Sequence, residues 1–225
     1  MKINADFGQR VVLHGDSIDW VRSPMPGVDR RPLDRIGAEI ARATTIVRYA
    51  PNSRFSPHIH DGGEEFLVLE GVFEDEHGAF PAGSYIRNPP TSRHTPGSAP
   101  GCVIFVKLWQ FHPEDRTHVR IDTHKSGSVA EIGRPGVRVT PLFDDGREWV
   151  RLERWAPGTA GKIEAAGGGE LLVIEGSATE SGEAVRRWTW VRTPVGGGFD
   201  LVAGPAGAVL WLKTGHLRTV NFPSA

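Results

Sequence analysis

His58, His60, Glu64 and His94 are the residues of this 225-residue chain whose types and spacing could do chemistry. In His58-Ile59-His60-Asp61-Gly62-Gly63-Glu64 the two histidines stand two apart. On a β-strand that spacing puts both imidazoles on one face. Asp61-Gly62-Gly63 is turn chemistry, and a turn there brings Glu64 back toward the same point. His94 follows Gly83-Ser84-Tyr85-Ile86-Arg87-Asn88-Pro89-Pro90 and is expected on a later strand facing the first pair. Three imidazoles and a carboxylate make a mixed N/O ligand set that suits Fe, Zn, Cu, Ni or Mn. Around a six-coordinate ion these four ligands leave two positions open. Around tetrahedral Zn²⁺ they saturate the metal and the site is structural.

The elements that must carry these residues read as short strands. Glycine (28) and proline (17) are abundant, and short apolar runs sit between Gly and Pro clusters along almost the whole chain. Long amphipathic helical periodicity is absent. The stretch from Gly37 to Thr44 has some helical character, but its continuation Thr44-Thr45-Ile46-Val47 is β-branched and favours strand.

The chain also repeats itself. Arg48-Tyr49-Ala50-Pro51 matches Arg154-Trp155-Ala156-Pro157, at an offset of 106. The run from Gly62 to Gly71 matches the run from Gly167 to Gly176, and Tyr85-Ile86-Arg87-Asn88-Pro89 matches Trp190-Val191-Arg192-Thr193-Pro194, both at 105. Ile104-Phe105-Val106-Lys107 matches Leu210-Trp211-Leu212-Lys213, again at 106. Two copies of one β unit follow, over residues 1–112 and 113–225, with the polar stretch His112 to Ser128 as linker. In the second copy Ile163, Ala165, Gly169 and Phe199 take the places of His58, His60, Glu64 and His94. The four candidate ligands are lost together while the scaffold persists, as a shared task predicts. Arg87 recurs as Arg192 in the copy without ligands, which marks it as structural.

The pattern His-x-His-x₃-Glu-x₆-Gly, with the later Gly-x₅-Pro-x₄-His, resembles the two metal motifs of the cupin superfamily. The wording from His58 to Gly71, then Asp75-Glu76, Gly83-Ser84-Tyr85 and Gly101-Cys102-Val103-Ile104-Phe105-Val106-Lys107, is similar to the ChrR-like cupins. That branch includes the cupin half of the ChrR anti-sigma factors and relatives with dioxygenase activity on diketones or hydroxyacetophenones. The resemblance spans about residues 14–110 and extends faintly into the second half. It implies an all-β fold of two tandem cupin barrels (double-stranded β-helix, jelly-roll). It also implies His58, His60, Glu64 and His94 as metal ligands. The chain starts almost directly at the barrel and lacks a Cys pair, so no sigma-binding zinc domain is expected. Glu64 departs from the three-His set of the diketone-cleaving relative.

Other residues carry weaker signals. Tyr85 and Phe66 share strand parity with pocket-facing neighbours and are candidates to line a cavity. Arg54 and Arg93 flank the ligand segments and are candidates to hold an anion. His77 lies in an exposed turn, His14, His112, His118, His124 and His216 lack matching partners, and Cys102 starts an apolar strand as a buried thiol. Trp149, Trp155, Trp188, Trp190 and Trp211 all fall in the second half and are expected to fill its barrel; a flat-ligand pocket or an interface are the other uses.

Net charge is −1, with no long run of one sign, which gives no electrostatic support to nucleic-acid binding or to adhesion on an anionic membrane. A polar N-terminus, no apolar stretch of spanning length and a single cysteine favour a reducing cytoplasm. The expected cofactor is one divalent metal ion per chain, Fe²⁺ before Zn²⁺, Mn²⁺ or Ni²⁺. The expected partners are a small-molecule substrate or effector and, as an assembly, a homodimer. The leading functional expectation is a metal-dependent, dioxygenase-like enzyme for a small enolisable or phenolic ketone. The other is a sensory or regulatory cupin held together by structural Zn²⁺. No general base is identified.

Overall fold

The computed structural model describes residues 1–38 and 40–223. Among these the regular structure is strand, with two short 3₁₀ turns at Gly15–Ser17 and His216–Arg218 and no α-helix. No helix is long and apolar enough to cross a membrane. The segment around Gly37 is a hairpin between the strands Val28–Gly37 and Ala41–Tyr49, as its β-branched residues favour.

Contacts divide the chain into two units. The first holds Met1–Ala5, Asp19–Lys125 and the stretch from Asn221; the second holds Asp6–Ile18 and Ser126–Val220. In the first, the antiparallel order is Val28–Gly37, Ala41–Tyr49, Cys102–Leu108, Glu64–Asp75, Ser84–Asn88, Val119–Asp122. His58–His60 and Ser92–His94 form a separate two-stranded ladder. The second unit repeats this order with Val137–Asp144, Trp149–Trp155, Gly197–Thr214, Gly169–Glu180, Thr189–Thr193 and Val11–His14.

This division differs from a cut between residues 112 and 113, and the reason is edge pairing. Val119–Asp122, within the polar stretch read as linker, pairs with Ser84–Asn88, placing Val119 opposite Arg87. Val11–His14 pairs in the same way with Thr189–Thr193, placing Val11 opposite Arg192. Each arm covers a row of backbone donors and acceptors that an edge strand would leave open.

The repeated Glu-Gly is a backbone device. Leu69 is an extra residue between the pairs Val68–Ile104 and Glu70–Val103, and Ile174 is its counterpart between Val173–Leu210 and Glu175–Val209. These bulges bend the long central strands. Gly71 and Gly176 follow at φ 70° and 71°. A Cβ would lie 2.0 Å from the Gly101 carbonyl oxygen in one case and 2.1 Å from that of Gly207 in the other. Only glycine satisfies both the left-handed backbone and the close approach.

The apolar runs are nearly continuous because both faces of the central strands are covered. In the first unit Phe66, Val68, Phe73, Ile86, Ile104 and Val106 build the core. Leu67 and Phe105, on the opposite face, are equally buried. In the second unit Leu171, Val173, Val191, Leu210 and Leu212 do so, joined by Trp155 with Trp149 packed against them. Trp190 and Trp211 are fully buried on the other face, both in register with Leu172.

Arg87 has a structural environment. It is buried with Glu65, whose Oε1 accepts from the Tyr85 hydroxyl at 2.6 Å, and its Nη2 donates to Asp115 Oδ2 at 2.6 Å. The second unit has the corresponding Glu170, which accepts from Trp190 Nε1 at 2.9 Å and lies 2.9 Å from His216 Nε2.

Gly71→Ala is expected to destabilise the protein by about 2–4 kcal/mol. Chemical denaturation followed by Trp fluorescence checks this, with Gly78→Ala, whose Cβ meets no atom within 4 Å, as a control for positive φ alone.

Candidate metal centre

One register positions the site. In the two-stranded ladder His94 lies opposite His58, and Ser92 opposite His60. The three imidazoles therefore converge, with ring centroids 4.7–4.9 Å apart in edge-on pairs. One ring nitrogen from each lies within 4.8 Å of the other two. His60 and His94 are buried, and His58 is exposed at the edge of the group.

Glu64 reaches the group through the turn before it. A Cβ at Gly62 would sit 2.2 Å from the Trp109 ring, and one at Gly63, at φ 77°, would sit 2.4 Å from the Phe111 ring. The chain at Asp61-Gly62-Gly63 is thus pressed under two aromatic rings, and Glu64 Oε2 lies 3.4 Å from His60 Nε2 and 3.5 Å from His94 Nε2. Asn88 Nδ2 donates to the same oxygen at 3.2 Å.

The outer ring nitrogens set the tautomers. His94 Nδ1 lies 3.3 Å from Asp75 Oδ2, and His58 Nδ1 lies 3.2 Å from the Ser56 carbonyl oxygen. An acceptor behind each Nδ1 fixes the proton there and leaves the Nε2 lone pair facing inward. His60 Nε2 and His94 Nε2 are buried without a hydrogen-bond partner. Buried polar atoms without partners are costly. Lone pairs aimed at a shared point beside a carboxylate fit a divalent cation. Burial holds the His60 pKa below its ordinary value, which favours the neutral, ligating form. Burial works the same way on His94, but the hydrogen bond to Asp75 and the charge of Glu64 outweigh it and raise that pKa. Asp75 is lowered in turn: burial would raise it, and the bonds to His94 and to the His77 amide prevail.

His58, His60 and Glu64 open onto a cavity of about 430 Å³. Val28, Val47, Ile104, Val106 and Leu108 make its apolar wall, Tyr49, Phe55 and Trp109 add aromatic surface, and Arg30 and Thr45 add polar groups. Phe66 and Tyr85 do not line it: Phe66 packs in the core and Tyr85 bonds Glu65. Arg54 is exposed and borders a different concavity beside Glu74, Asp75 and Glu76, and Arg93 is exposed on the short ladder. Cys102 is buried, which pushes its thiol up to about 11 and leaves it inert. His77 is exposed. Asp75, Asn88, Arg30 and Tyr49 were not singled out by sequence. For Tyr49 and its cavity neighbour Val47 a signal did exist, in the comparison of the copies: they become Trp155 and Glu153.

The second unit shows the same geometry filled. Ile163 lies opposite Phe199, as His58 lies opposite His94. Ile163, Ala165 and Phe199 are buried core residues. A Cβ at Gly169 would sit 3.0 Å from the Phe199 ring and 3.1 Å from the Ala165 Cβ. Phe199 thus takes the volume that the three imidazoles and Glu64 converge on in the first unit. Further along the same inward face, Glu153 Oε1 and Oε2 receive a fork from Arg134 at 2.8 and 2.7 Å, and bonds from Arg151 Nε at 2.7 Å and Trp155 Nε1 at 2.9 Å.

Residues 8–112 match the family model described as the ChrR Cupin-like domain. No curated protein matches the sequence. Among solved structures the chain is similar to a candidate dioxygenase from Nostoc punctiforme, with 14% identity and a TM-score of 0.75 over 97% of this chain and 87% of that one. It is similar to YlbA from Escherichia coli, with 16% identity and a TM-score of 0.72 over 96% and 94%. It is also similar to the bacterial pirin YhhW from Escherichia coli in complex with nickel(II), with 14% identity and a TM-score of 0.65 over 92% and 99%.

Asp75→Asn keeps the shape and removes the charge behind His94, and is expected to weaken divalent-metal affinity about 10- to 100-fold, read by competition with a chromophoric chelator. Phe199→Ala is expected to cost about 3–5 kcal/mol of stability and to leave the metal content per chain unchanged.

Proposed function

We propose, from the premise that this chain belongs to the cupin superfamily, that it is a mononuclear metal-dependent enzyme of dioxygenase type acting on a small enolisable or phenolic ketone. The observation that carries this reading is a convergent three-imidazole group whose exposed edge, at His58, opens into a largely apolar cavity. His58, His60, Glu64 and His94 would hold the ion. Bound there, the metal supplies Lewis acidity toward the carbonyl oxygens of the substrate and a redox partner for O₂, for which Fe²⁺ is the favoured ion. The structural likeness to a candidate dioxygenase and to a nickel-binding pirin is consistent with this chemistry.

The chain's own residues have distinct tasks. Asp75 and Ser56 orient His94 and His58. Asn88 orients the Glu64 carboxylate. Val47, Ile104 and Val106 exclude water from the ligand side of the cavity. Burial and the charge of Glu64 raise the Tyr49 hydroxyl well above its ordinary value, so it stays protonated and acts as a hydrogen-bond donor rather than a base. Cleavage of a carbon–carbon bond with both atoms of O₂ retained in the products needs no external reductant. The regulatory alternative requires a saturated Zn²⁺, and an exposed ligand edge facing a cavity favours the enzyme.

Metal analysis of untagged protein is expected to show close to one Fe, Mn, Ni or Cu per chain, lost in the His58→Ala/His60→Ala double variant. With Fe²⁺, a 1,3-diketone or a hydroxyacetophenone is expected to drive O₂ uptake one to one with substrate, and the double variant is expected to fall to background. Tightly held Zn²⁺ with no O₂ uptake after exchange to Fe²⁺ would turn the assignment toward the regulatory module.

A further inference from the structure

We propose that the cavity beside the imidazole group is a carboxylate-binding site anchored by Arg30, so that among the small ketones it accepts an oxo-acid anion is preferred over a neutral diketone. This rests on the reading of the site as an enzyme centre and narrows its substrate class.

Arg30 lies on the inward face of the strand Val28–Gly37, opposite Val47 and next to the pair Val28–Tyr49. It is half-buried and lines the cavity. Its neighbours in sequence are engaged elsewhere: Arg31 stacks on Trp20 at 4.2 Å, and Arg35 donates to the Ala38 carbonyl. On the facing strand Arg48 pairs with Asp29 at 2.7 Å. Arg30 makes no hydrogen bond or ion pair among the described residues, nor do the hydroxyls of Tyr49 and Thr45 on the same wall. A guanidinium is permanently charged, and its fork matches a planar carboxylate in two parallel bonds. Partial burial against Val28 and Val47 without a counter-ion is unfavourable, and an incoming anion relieves it.

Charge count agrees. A divalent ion held by three neutral imidazoles and Glu64 carries a net +1, Arg30 adds another, and the other charged residues of the lining, Arg35 and Asp61, offset each other. Tyr49 pairs with Val28, two residues from Arg30, and lines the same cavity as Arg30 and Glu64. A carboxylate on Arg30 and Tyr49 would leave a carbonyl on the same molecule free to face the imidazole group.

The second unit offers an internal comparison. There the position of Arg30 is Val139, and the position of Val47 is Glu153. That resident carboxylate is clasped by Arg134 and Arg151. The barrel that lost its ligands has filled this region with its own carboxylate. The barrel that kept them has an arginine there and no carboxylate to meet it.

Isothermal titration of the full chain with benzoylformate and with 1-phenylpropane-1,2-dione, which replaces the carboxylate by an acetyl group, tests the assignment. Ni²⁺-loaded wild type is expected to bind benzoylformate at least about tenfold more tightly than the dione. Arg30→Gln is expected to weaken benzoylformate about 10- to 100-fold and to leave the dione within about twofold, while Arg30→Lys keeps part of the preference. Equal affinities in wild type, or an unchanged preference in Arg30→Gln, overturns the anchor; so does failure of both probes to bind. The metal-free protein separates this claim from the enzyme reading. An Arg30-dependent preference that survives without metal upholds the anchor even if the chain holds no catalytic ion. Dione binding to the loaded protein with no preference for the carboxylate overturns the anchor and leaves the metal centre standing.

Discussion

The site depends on a pairing register of three residues. With His94 opposite His58 and His60 two residues along, the period of two in a strand turns three side chains to one point. A slip of one residue would send His94 to the other face. Much of the surrounding structure holds that register: the Asp61-Gly62-Gly63 turn is pinned under Trp109 and Phe111, and the carboxylate of Asp75 stands behind His94. The inward nitrogens of His60 and His94 make no hydrogen bond among the described residues, a cost that a bound cation removes.

The two units show one backbone put to two uses. The bulge at Leu69 recurs at Ile174, the close approach of Gly71 recurs at Gly176, and the buried Glu65–Arg87 pair has its counterpart in Glu170 and Arg192. These features shape the barrel and are independent of chemistry. What diverges is the interior. Phe199, Ala165 and Ile163 replace imidazoles by close-packed apolar volume, and Gly169 makes room for the ring. Trp155 and the Arg134–Glu153–Arg151 cluster occupy the face that Tyr49, Val47 and Thr45 leave open to the cavity in the first unit. Removing one member of such a buried ionic cluster strands a charge, which ties its members together. The second interior is a stable fill, and the first is a cavity with a polar end and an apolar wall.

The electrostatics of the first unit follow from burial. Burial lowers the His60 pKa, and the hydrogen bond to Asp75 draws His94 the other way. For Cys102, in the same barrel, burial outweighs the hydrogen bond with Ser98 and the thiol is raised. The apolar run from Val28 through Val47 to Val106 lines the cavity beside the imidazole group.

Much of this was legible in the sequence because it is local or periodic. The spacing of His58, His60 and Glu64 is read over seven residues, the glycines mark the turn, and the repeat exposes the joint loss of four candidate ligand positions. The all-β class follows from short apolar runs between Gly and Pro clusters, and the structural role of Arg87 from its recurrence as Arg192. Tertiary structure decided what depends on long-range pairing and on which way a strand faces. Arg54 and Arg93 flank the candidate ligands in sequence but are exposed, whereas Arg30, far upstream, faces the cavity because Val28–Gly37 pairs with Ala41–Tyr49 in that register. Phe66 and Tyr85 are sequence candidates to line the cavity, yet the register puts them on opposite faces, where Phe66 packs into the core and Tyr85 bonds Glu65. The arms Val11–His14 and Val119–Asp122 look like terminus and linker until the sheet edges they cover are known. A sequence carries the period of a strand; the partner and the register come from contacts between residues that are distant along the chain.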